Sequence, residues 1–190
     1  DEQAKATEAK GSTSDSNATD SDIPKAVFVH PLDLSSFDSV KAFCAAVRKE
    51  YPEVDILVNN AGRNTNGESM SLSAHDGTNQ NQIPLDLLFQ SNFLGHFLLT
   101  SELLNAEVLV PNARIVNLSS VMHHFCGTGT GTNSAAGWES VDFWKQTATA
   151  GCAPTETYSP SKLAAQLFTL ELNRRYGQRL RSIAVNPGAV

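Results

Sequence analysis

Residues 54–62, VDILVNNAG, are the clearest indication of the fold, because an apolar, β-branched run stops abruptly in a polar turn. Residues 54–58 carry the kind of side chains that favour a buried strand. Asn59, Asn60, Ala61 and Gly62 then bring together residue types that are typical of turns. In an open parallel sheet, ligands bind beyond the carboxyl ends of the strands, so this turn is the first candidate position for a site.

Similar runs alternate with helical spacing along the rest of the chain. Further strands are predicted at residues 26–29, 114–118 and 183–185. Helices are predicted at residues 37–51, after Ser35 or Ser36 as the N-cap, from residue 84 to about 104, and from Tyr158 to about 176, before Gly177. This alternation predicts an α/β protein with right-handed crossovers and a mostly parallel sheet covered on both faces. Residues 63–82 are predicted to form a loop or insertion, and residues 122–155 a low-complexity span.

Length, charge and cysteine content narrow the class of protein. The chain has 190 residues, enough for one domain, and its net charge of -6 argues against binding to nucleic acid. No apolar run approaches the ~20 residues that would span a bilayer. Three widely spaced cysteines favour reduced thiols inside the cell, and His123, His124 and Cys126 have no partner at ligand spacing, so no metal site is predicted.

The two ends of the chain differ from the part between them. Residues 1–24 are polar, have no apolar periodicity and are predicted to be disordered or a frayed helix end, whereas residues 25–190 form the folded part. The chain opens on Asp1 without a methionine and stops at Val190 directly after a strand and a turn. We therefore expect a piece of a longer protein.

Tyr158 and Lys162 form the first candidate pair for chemistry. Four residues apart on a helix, they lie on one face, and a nearby ammonium favours the tyrosinate over the neutral phenol. A phenol so placed can exchange a proton with a substrate oxygen. Taken alone this spacing is weak, because a surface tyrosine beside a solvated lysine gives the same pattern.

The other polar candidates gather at the same predicted edge of the sheet. Asp33, the turn at residues 59–62, the pair Ser119-Ser120 and the pair Pro187-Gly188 each follow a predicted strand. Asn92 lies in the middle of a predicted helix, where asparagine is a mediocre helix former. Each of these is an ordinary loop or helix residue when taken singly. Their order and common placement favour a site.

Taken together, these motifs resemble the short-chain dehydrogenase/reductase family from about residue 25 to 190. The residues that carry the resemblance are Asp33-Leu34, the Asn-Asn-Ala-Gly turn at 59–62, Asn92, the strand and serine pair IVNLSS at 115–120, Tyr158 with Lys162, and Pro187-Gly188. The runs LDLSSF at 32–37, GHFLLT at 95–100 and SSVMHH at 119–124 resemble the branch of this family that contains retinol dehydrogenases.

The resemblance implies roles for individual residues. It implies that Tyr158 supplies a proton, Ser120 binds the substrate oxygen, Lys162 supports Tyr158 and binds ribose hydroxyls, and Asn92 supports a proton relay through water. It further implies a set of cofactor-binding residues: Asp33, Leu34, Asn59, Ala61, Gly62, Tyr158, Lys162, Pro187, Gly188 and Val190. The implied cofactor is NADP, with NAD as the alternative. The implied substrate is a small alcohol or carbonyl compound, apolar in character, and the family likeness is compatible with a homo-oligomer.

One departure from the family pattern has a structural consequence. The glycine-rich turn that cradles a pyrophosphate is absent upstream of Asp33, and Gly127-Thr-Gly-Thr-Gly131 follows a polar loop instead of a strand. We therefore expect a partial Rossmann-like, doubly wound sheet holding the family's strands 3 to 6, in which residues 26–29 are poorly packed or pair with residues 54–58. A non-catalytic binding module on the same fold is the alternative function.

Overall fold

The computed structural model describes residues 30–64, 71–73, 84–126, 142 and 154–188. Several expectations fall outside these residues: the polar segment 1–24, the strand at 26–29, the glycine run 127–131 and the position of Val190. Those stay predictions.

A parallel sheet of three strands forms the centre of the described part. Its strands are β1 (Val54–Asn59), β4 (Leu109–Leu118) and β5 (Leu180–Val185), arranged in the order β1-β4-β5. Asn59 pairs in register with Asn117, and Asn117 with Ala184. The predicted α/β class is confirmed. The predicted start of this strand at residue 114 is too late, because β4 begins at Leu109. The chain stays in the sheet through Asn112, although the φ of Asn112, 68°, is left-handed.

The first helix follows the prediction closely. It spans Phe37–Glu50, and of the two candidate caps Ser36 is the one used, since its hydroxyl accepts the Ser39 N–H at 3.2 Å. Val40, Cys44 and Val47 recur at helical spacing and are buried.

The predicted single helix from residue 84 to 104 was wrong at its start. Pro84–Asp86 is a short strand, β3, paired antiparallel with β2 (Ser71–Ser73), so residues 63–82 are not purely a loop either. Asp86 ends this strand and caps the next element, because its carboxylate accepts the Phe89 N–H at 2.8 Å. The helical part, here named the Asn92 helix, runs as α-helix Leu87–Phe89, π-helix Gln90–Leu94 and α-helix Gly95–Asn105.

Two further corrections concern the region around the tyrosine. The helix that carries it, here named the Tyr158 helix, spans Pro154–Tyr176 and begins four residues before Tyr158. Proline is favourable at a first helical position, because that position needs no N–H donor. The predicted stop is confirmed, with the Gly177 N–H donating to the Asn173 carbonyl. At the start of the predicted low-complexity span, and overlapping it, Val121–Phe125 is a short 3₁₀-helix.

The described helices pack against one face of the sheet. Ile115 and Leu180 point into this core from the strands and are almost fully buried, beside Leu99 and Leu103 of the Asn92 helix. Cys44 lies in the same core, where burial raises the pKa of its thiol to about 11. The opposite face bears apolar side chains that are half exposed within the described part: Ile56, Val58 and Ile183.

Gly95 sets how closely the Asn92 helix approaches the turn that follows Asp33. A Cβ at this position would lie 2.4 Å from the Leu34 carbonyl oxygen and 2.8 Å from the Leu34 Cβ. Neither atom is the end of a flexible side chain, so the backbone itself would have to move. The close contact between Leu34 and this helix therefore requires glycine.

We expect Gly95→Ala to destabilise the protein by about 1–3 kcal/mol, the usual cost of forcing extra volume into a packed contact. In an open helix the same change stabilises by roughly 1 kcal/mol, so the sign of the effect is diagnostic. Urea unfolding measures it. Ser101→Ala on the same helix is the control and should stay within about 0.5 kcal/mol. A Gly95→Ala protein more stable than the parent would contradict the close approach.

Candidate active site

The carboxyl ends of the three parallel strands bring the predicted residues to one edge. β1 ends at Asn59, β4 at Leu118 and β5 at Val185. The turn at residues 60–62, the pair Ser119-Ser120 and the run at 186–188 therefore leave the sheet side by side.

Lys162 is buried at this edge. Its side chain projects from the Tyr158 helix, is 5% exposed, and its Nζ donates to the Leu118 carbonyl at 3.0 Å. Nζ also lies 5.5 Å from the centroid of the half-buried Tyr158 ring. Burial lowers the pKa of the Lys162 ammonium below its ordinary value. The structure thus places the two residues together.

Gly62 brings the backbone of the first turn against this lysine. A Cβ on Gly62 would lie 3.3 Å from Lys162 Nζ and 3.4 Å from Asn92 Oδ1. Asn92 itself binds the next residue, since its Oδ1 accepts the Arg63 N–H at 2.8 Å and its Nδ2 donates to the Arg63 carbonyl at 2.9 Å. The absence of a side chain at residue 62 keeps backbone, ammonium and amide in contact.

His96 contacts the same turn from the other side. It was not among the site residues predicted from the sequence. Its Nε2 lies 2.7 Å from the Ala61 carbonyl oxygen, and its ring is 8% exposed. Burial lowers the pKa of His96, against the opposing effect of the Ala61 hydrogen bond, and the nearby Lys162 charge lowers it further. The only signal available beforehand was its position four residues after Asn92, on the same helical face.

The two adjacent serines have different partners. The Ser119 hydroxyl is buried and donates to the Lys162 carbonyl at 2.9 Å. The Ser120 side chain is partly exposed and caps the 3₁₀-helix, with its Oγ accepting the Met122 N–H at 3.3 Å. The Ser120 hydroxyl hydrogen is not needed for that cap.

Ser161, which was not among the predicted site residues, connects Asn92 with the backbone of Tyr158. Its hydroxyl donates to the Tyr158 carbonyl at 2.7 Å, and its Oγ accepts a hydrogen bond from Asn92 Nδ2 at 3.4 Å. Ser161 is fully buried. The π-helical turn that carries Asn92 is thereby joined to the Tyr158 helix, and π-turns occur frequently at functional sites.

The remaining predicted cofactor residues divide into three groups. The Asp33 carboxylate is exposed and accepts from the Ser35 hydroxyl and N–H, which lowers its pKa, whereas Leu34 is buried under Gly95. The Asn59 side chain points into the helical layer, where its Nδ2 donates to Thr100 and Asn117, so its backbone alone remains for a ligand. Pro187 and Gly188 are exposed, and Gly188 takes a φ of 86° that favours glycine.

Neither a metal-binding cluster nor a membrane-spanning helix is found in the described part of the chain. The described residues contain no group of three or more His, Cys, Asp or Glu side chains that could hold a metal ion. In the same part of the chain, no helix combines the length and the apolarity needed to cross a bilayer.

A groove of about 260 Å³ between the Asn92 helix and the Tyr158 helix lies elsewhere. Phe97 and Phe168 line it, with Glu171 and Arg175 at its rim, and none of its lining residues belongs to the edge described above. The chemistry-bearing residues are therefore those at the strand ends: the Tyr158 phenol, the Ser120 hydroxyl, and the buried Lys162 ammonium beside the Gly62 backbone.

The chain is similar to a known protein family and to several known proteins. The family model described as short chain dehydrogenase matches residues 3–150. Retinol dehydrogenase 14 of Homo sapiens is 33% identical over 165 residues, which cover 86% of this chain and 42% of the relative. Retinol dehydrogenase 13 of Homo sapiens is 35% identical over 158 residues, 83% of this chain and 41% of the relative. The chain thus spans less than half the length of these relatives.

Solved structures show the same fold. A short-chain dehydrogenase from Streptomyces avermitilis superposes with a TM-score of 0.53 at 23% identity, over 84% of this chain and 47% of the other. A short chain dehydrogenase from Burkholderia cenocepacia, solved in complex with NADP, gives a TM-score of 0.54 at 21% identity, over 83% and 51%. At such identities the likeness supports the Rossmann-like fold alone. With the family match over residues 3–150, the chain belongs to the short chain dehydrogenase family.

Proposed function

We propose that this chain is part of an oxidoreductase that transfers a hydride between NADP(H) and an alcohol or carbonyl compound. The observation that carries the proposal is the buried Lys162 ammonium, which lies beside the Tyr158 ring and against the backbone of Gly62. Burying a cation is costly, and perturbed lysines of this kind cluster at functional sites.

Tyr158 is the proposed proton donor and acceptor. Its ring is half buried next to the lysine, with the ammonium nitrogen 5.5 Å from the ring centroid, so the phenol and the cation share one edge of the sheet. Ser120 is the proposed hydrogen-bond donor to the substrate oxygen. Ser119 is engaged with the Lys162 carbonyl, which supports the choice of the second serine of the pair.

The residues at the edge fit the nicotinamide and ribose end of a dinucleotide. When bound, the cofactor would supply the hydride. Lys162 Nζ has three hydrogens, and one of them is used by the Leu118 carbonyl, which leaves donors for ribose hydroxyls. A Cβ on residue 62 would meet Lys162 Nζ at 3.3 Å, so the absence of a side chain leaves room for the ammonium beside this turn. Asn92 keeps this turn in place through Arg63, and the water-mediated relay to Lys162 is part of the proposal.

The finer assignments rest on the relatives. Similar proteins are retinol dehydrogenases, which favours an apolar alcohol or the matching carbonyl compound as the substrate. NADP is the proposed cofactor and NAD the alternative; the structure of the same fold from Burkholderia cenocepacia was solved in complex with NADP. Self-association and an intracellular location stay predictions. If the full-length protein bound no dinucleotide, the alternative of a non-catalytic binding module would replace this proposal.

We expect Tyr158→Phe to lower turnover by ~10²–10⁴-fold, the usual effect of removing a positioned acid–base group, while the dissociation constant for NADP⁺ stays within about twofold. Steady-state kinetics with an apolar alcohol and calorimetric titration with NADP⁺, both on the full-length protein, measure the two quantities. Tyr176→Phe near the end of the same helix is the matched control and should retain turnover. Near-normal turnover in Tyr158→Phe would assign the proton donor elsewhere.

We expect Lys162→Met to weaken NADP⁺ binding and turnover together but not to destabilise the free protein. The methionine keeps most of the side-chain volume, and although it loses the hydrogen bond to the Leu118 carbonyl, it also removes a buried charge whose desolvation opposes folding, so the two effects offset each other. Chemical unfolding at pH 7 and NADP⁺ titration test both halves, with the exposed Lys41→Met as the control.

The same variant makes a prediction about pH. Because the pKa of Lys162 is lower in the folded protein than the unfolded value of ~10.4, the parent protein gains stability as pH rises between those two values. Lys162→Met should lack that gain. A parent protein whose stability does not rise relative to Lys162→Met between pH 7 and 10.5 would contradict the cost of burial.

A further inference from the structure

His96 makes a directed contact with the turn that carries Gly62. Its Nε2 lies 2.7 Å from the Ala61 carbonyl oxygen, and a carbonyl oxygen can only accept. Nε2 must therefore carry a hydrogen and donate it. The neutral ring then has its lone pair on Nδ1, which is buried and has no hydrogen-bond partner among the described residues.

The surroundings favour this neutral form. Lys162 is the charged group that acts on His96, and a second positive charge beside it would be repelled. A proton on Nδ1 would also be a buried N–H without an acceptor, which costs free energy. The ring is thus suited to one task, the donation of a hydrogen bond from Nε2.

That bond acts beside the close approach of the Gly62 backbone to the Lys162 side chain. Ala61 precedes Gly62, whose backbone approaches Lys162 Nζ so closely that a Cβ would lie 3.3 Å away. Asn92 restrains the chain on the far side of Gly62 by binding both backbone groups of Arg63. With His96 on the near side, Gly62 is held from both flanks by two side chains of the Asn92 helix.

Resting on the function proposed above, we propose that His96 is a positioning residue for cofactor binding. It holds the Ala61 carbonyl so that the Gly62 backbone and the Lys162 ammonium keep the spacing that the ribose end of the dinucleotide requires. It touches neither substrate nor cofactor, and it acts through the turn.

Two substitutions at His96 separate this role from simple packing. Glutamine can place an amide N–H near the position of Nε2, whereas leucine fills the space without a donor. We expect His96→Leu in the full-length protein to raise the dissociation constant for NADP⁺ by about three- to tenfold, as the loss of one neutral hydrogen bond predicts. His96→Gln should stay within about twofold. Calorimetric titration measures both.

Leu103→Ala is the control for general destabilisation. Leu103 is buried on the same helix and contacts the core instead of the turn, so its truncation should lower the melting temperature and leave the NADP⁺ dissociation constant unchanged. The proposal is overturned if His96→Leu and His96→Gln bind NADP⁺ equally well, or if His96→Leu loses no more affinity than Leu103→Ala.

A readout on the free protein keeps this test independent of the proposed function. The Arg63 N–H is hydrogen-bonded to Asn92, so its amide hydrogen exchange reports whether the turn is held. Exchange should be faster in His96→Leu than in His96→Gln even if no variant binds NADP⁺, and equal rates would overturn the proposal. If His96→Leu fails to fold, ¹⁵N NMR of the parent protein decides, because a ring protonated on Nδ1 alone contradicts the contact.

Discussion

The attachment of Lys162 to the end of β4 is the constraint on which the site depends. Its Nζ donates to the Leu118 carbonyl, and its own carbonyl accepts from the Ser119 hydroxyl. Side chain and backbone of one helical residue are thus bound to consecutive residues of the strand end. This double attachment fixes the Tyr158 helix along the sheet, and the sheet offsets part of the cost of burying the ammonium.

A buried amide network fixes the strands beneath this edge. Asn59 donates to Asn117 Oδ1 at 2.8 Å, and Asn117 donates onward to Thr169 Oγ1 at 2.9 Å and Ser182 Oγ at 3.2 Å. The network joins all three parallel strands to the Tyr158 helix. Leaving an amide unpaired in this layer would cost free energy, so a shift of any strand is disfavoured. The turns that follow the three strands therefore begin at fixed positions relative to one another.

Local signals predicted the elements that local physics controls. Ser36 began its helix as a cap, and Gly177 ended the Tyr158 helix, because both effects act within one helical turn. The errors have a different origin. Pro84–Asp86 became a strand because it pairs with Ser71–Ser73, and no local pattern reveals a partner across an intervening segment. The Tyr158 helix begins earlier than predicted, at Pro154, because proline is favourable at a first helical position and the prediction did not use this signal.

From the amino-acid sequence alone one can predict the α/β alternation, the spacing of Tyr158 and Lys162, and the gathering of polar turns at one edge of the sheet. These follow from periodicity and from the rule that parallel strands end together. The hydrogen bonds at the site appear only in the folded structure. The Asn92 amide binds the backbone of Arg63, 29 residues away, and the His96 ring binds the Ala61 carbonyl, 35 residues away. Such contacts depend on how the Asn92 helix packs over the strand end, and packing is a property of the folded chain that no short stretch contains.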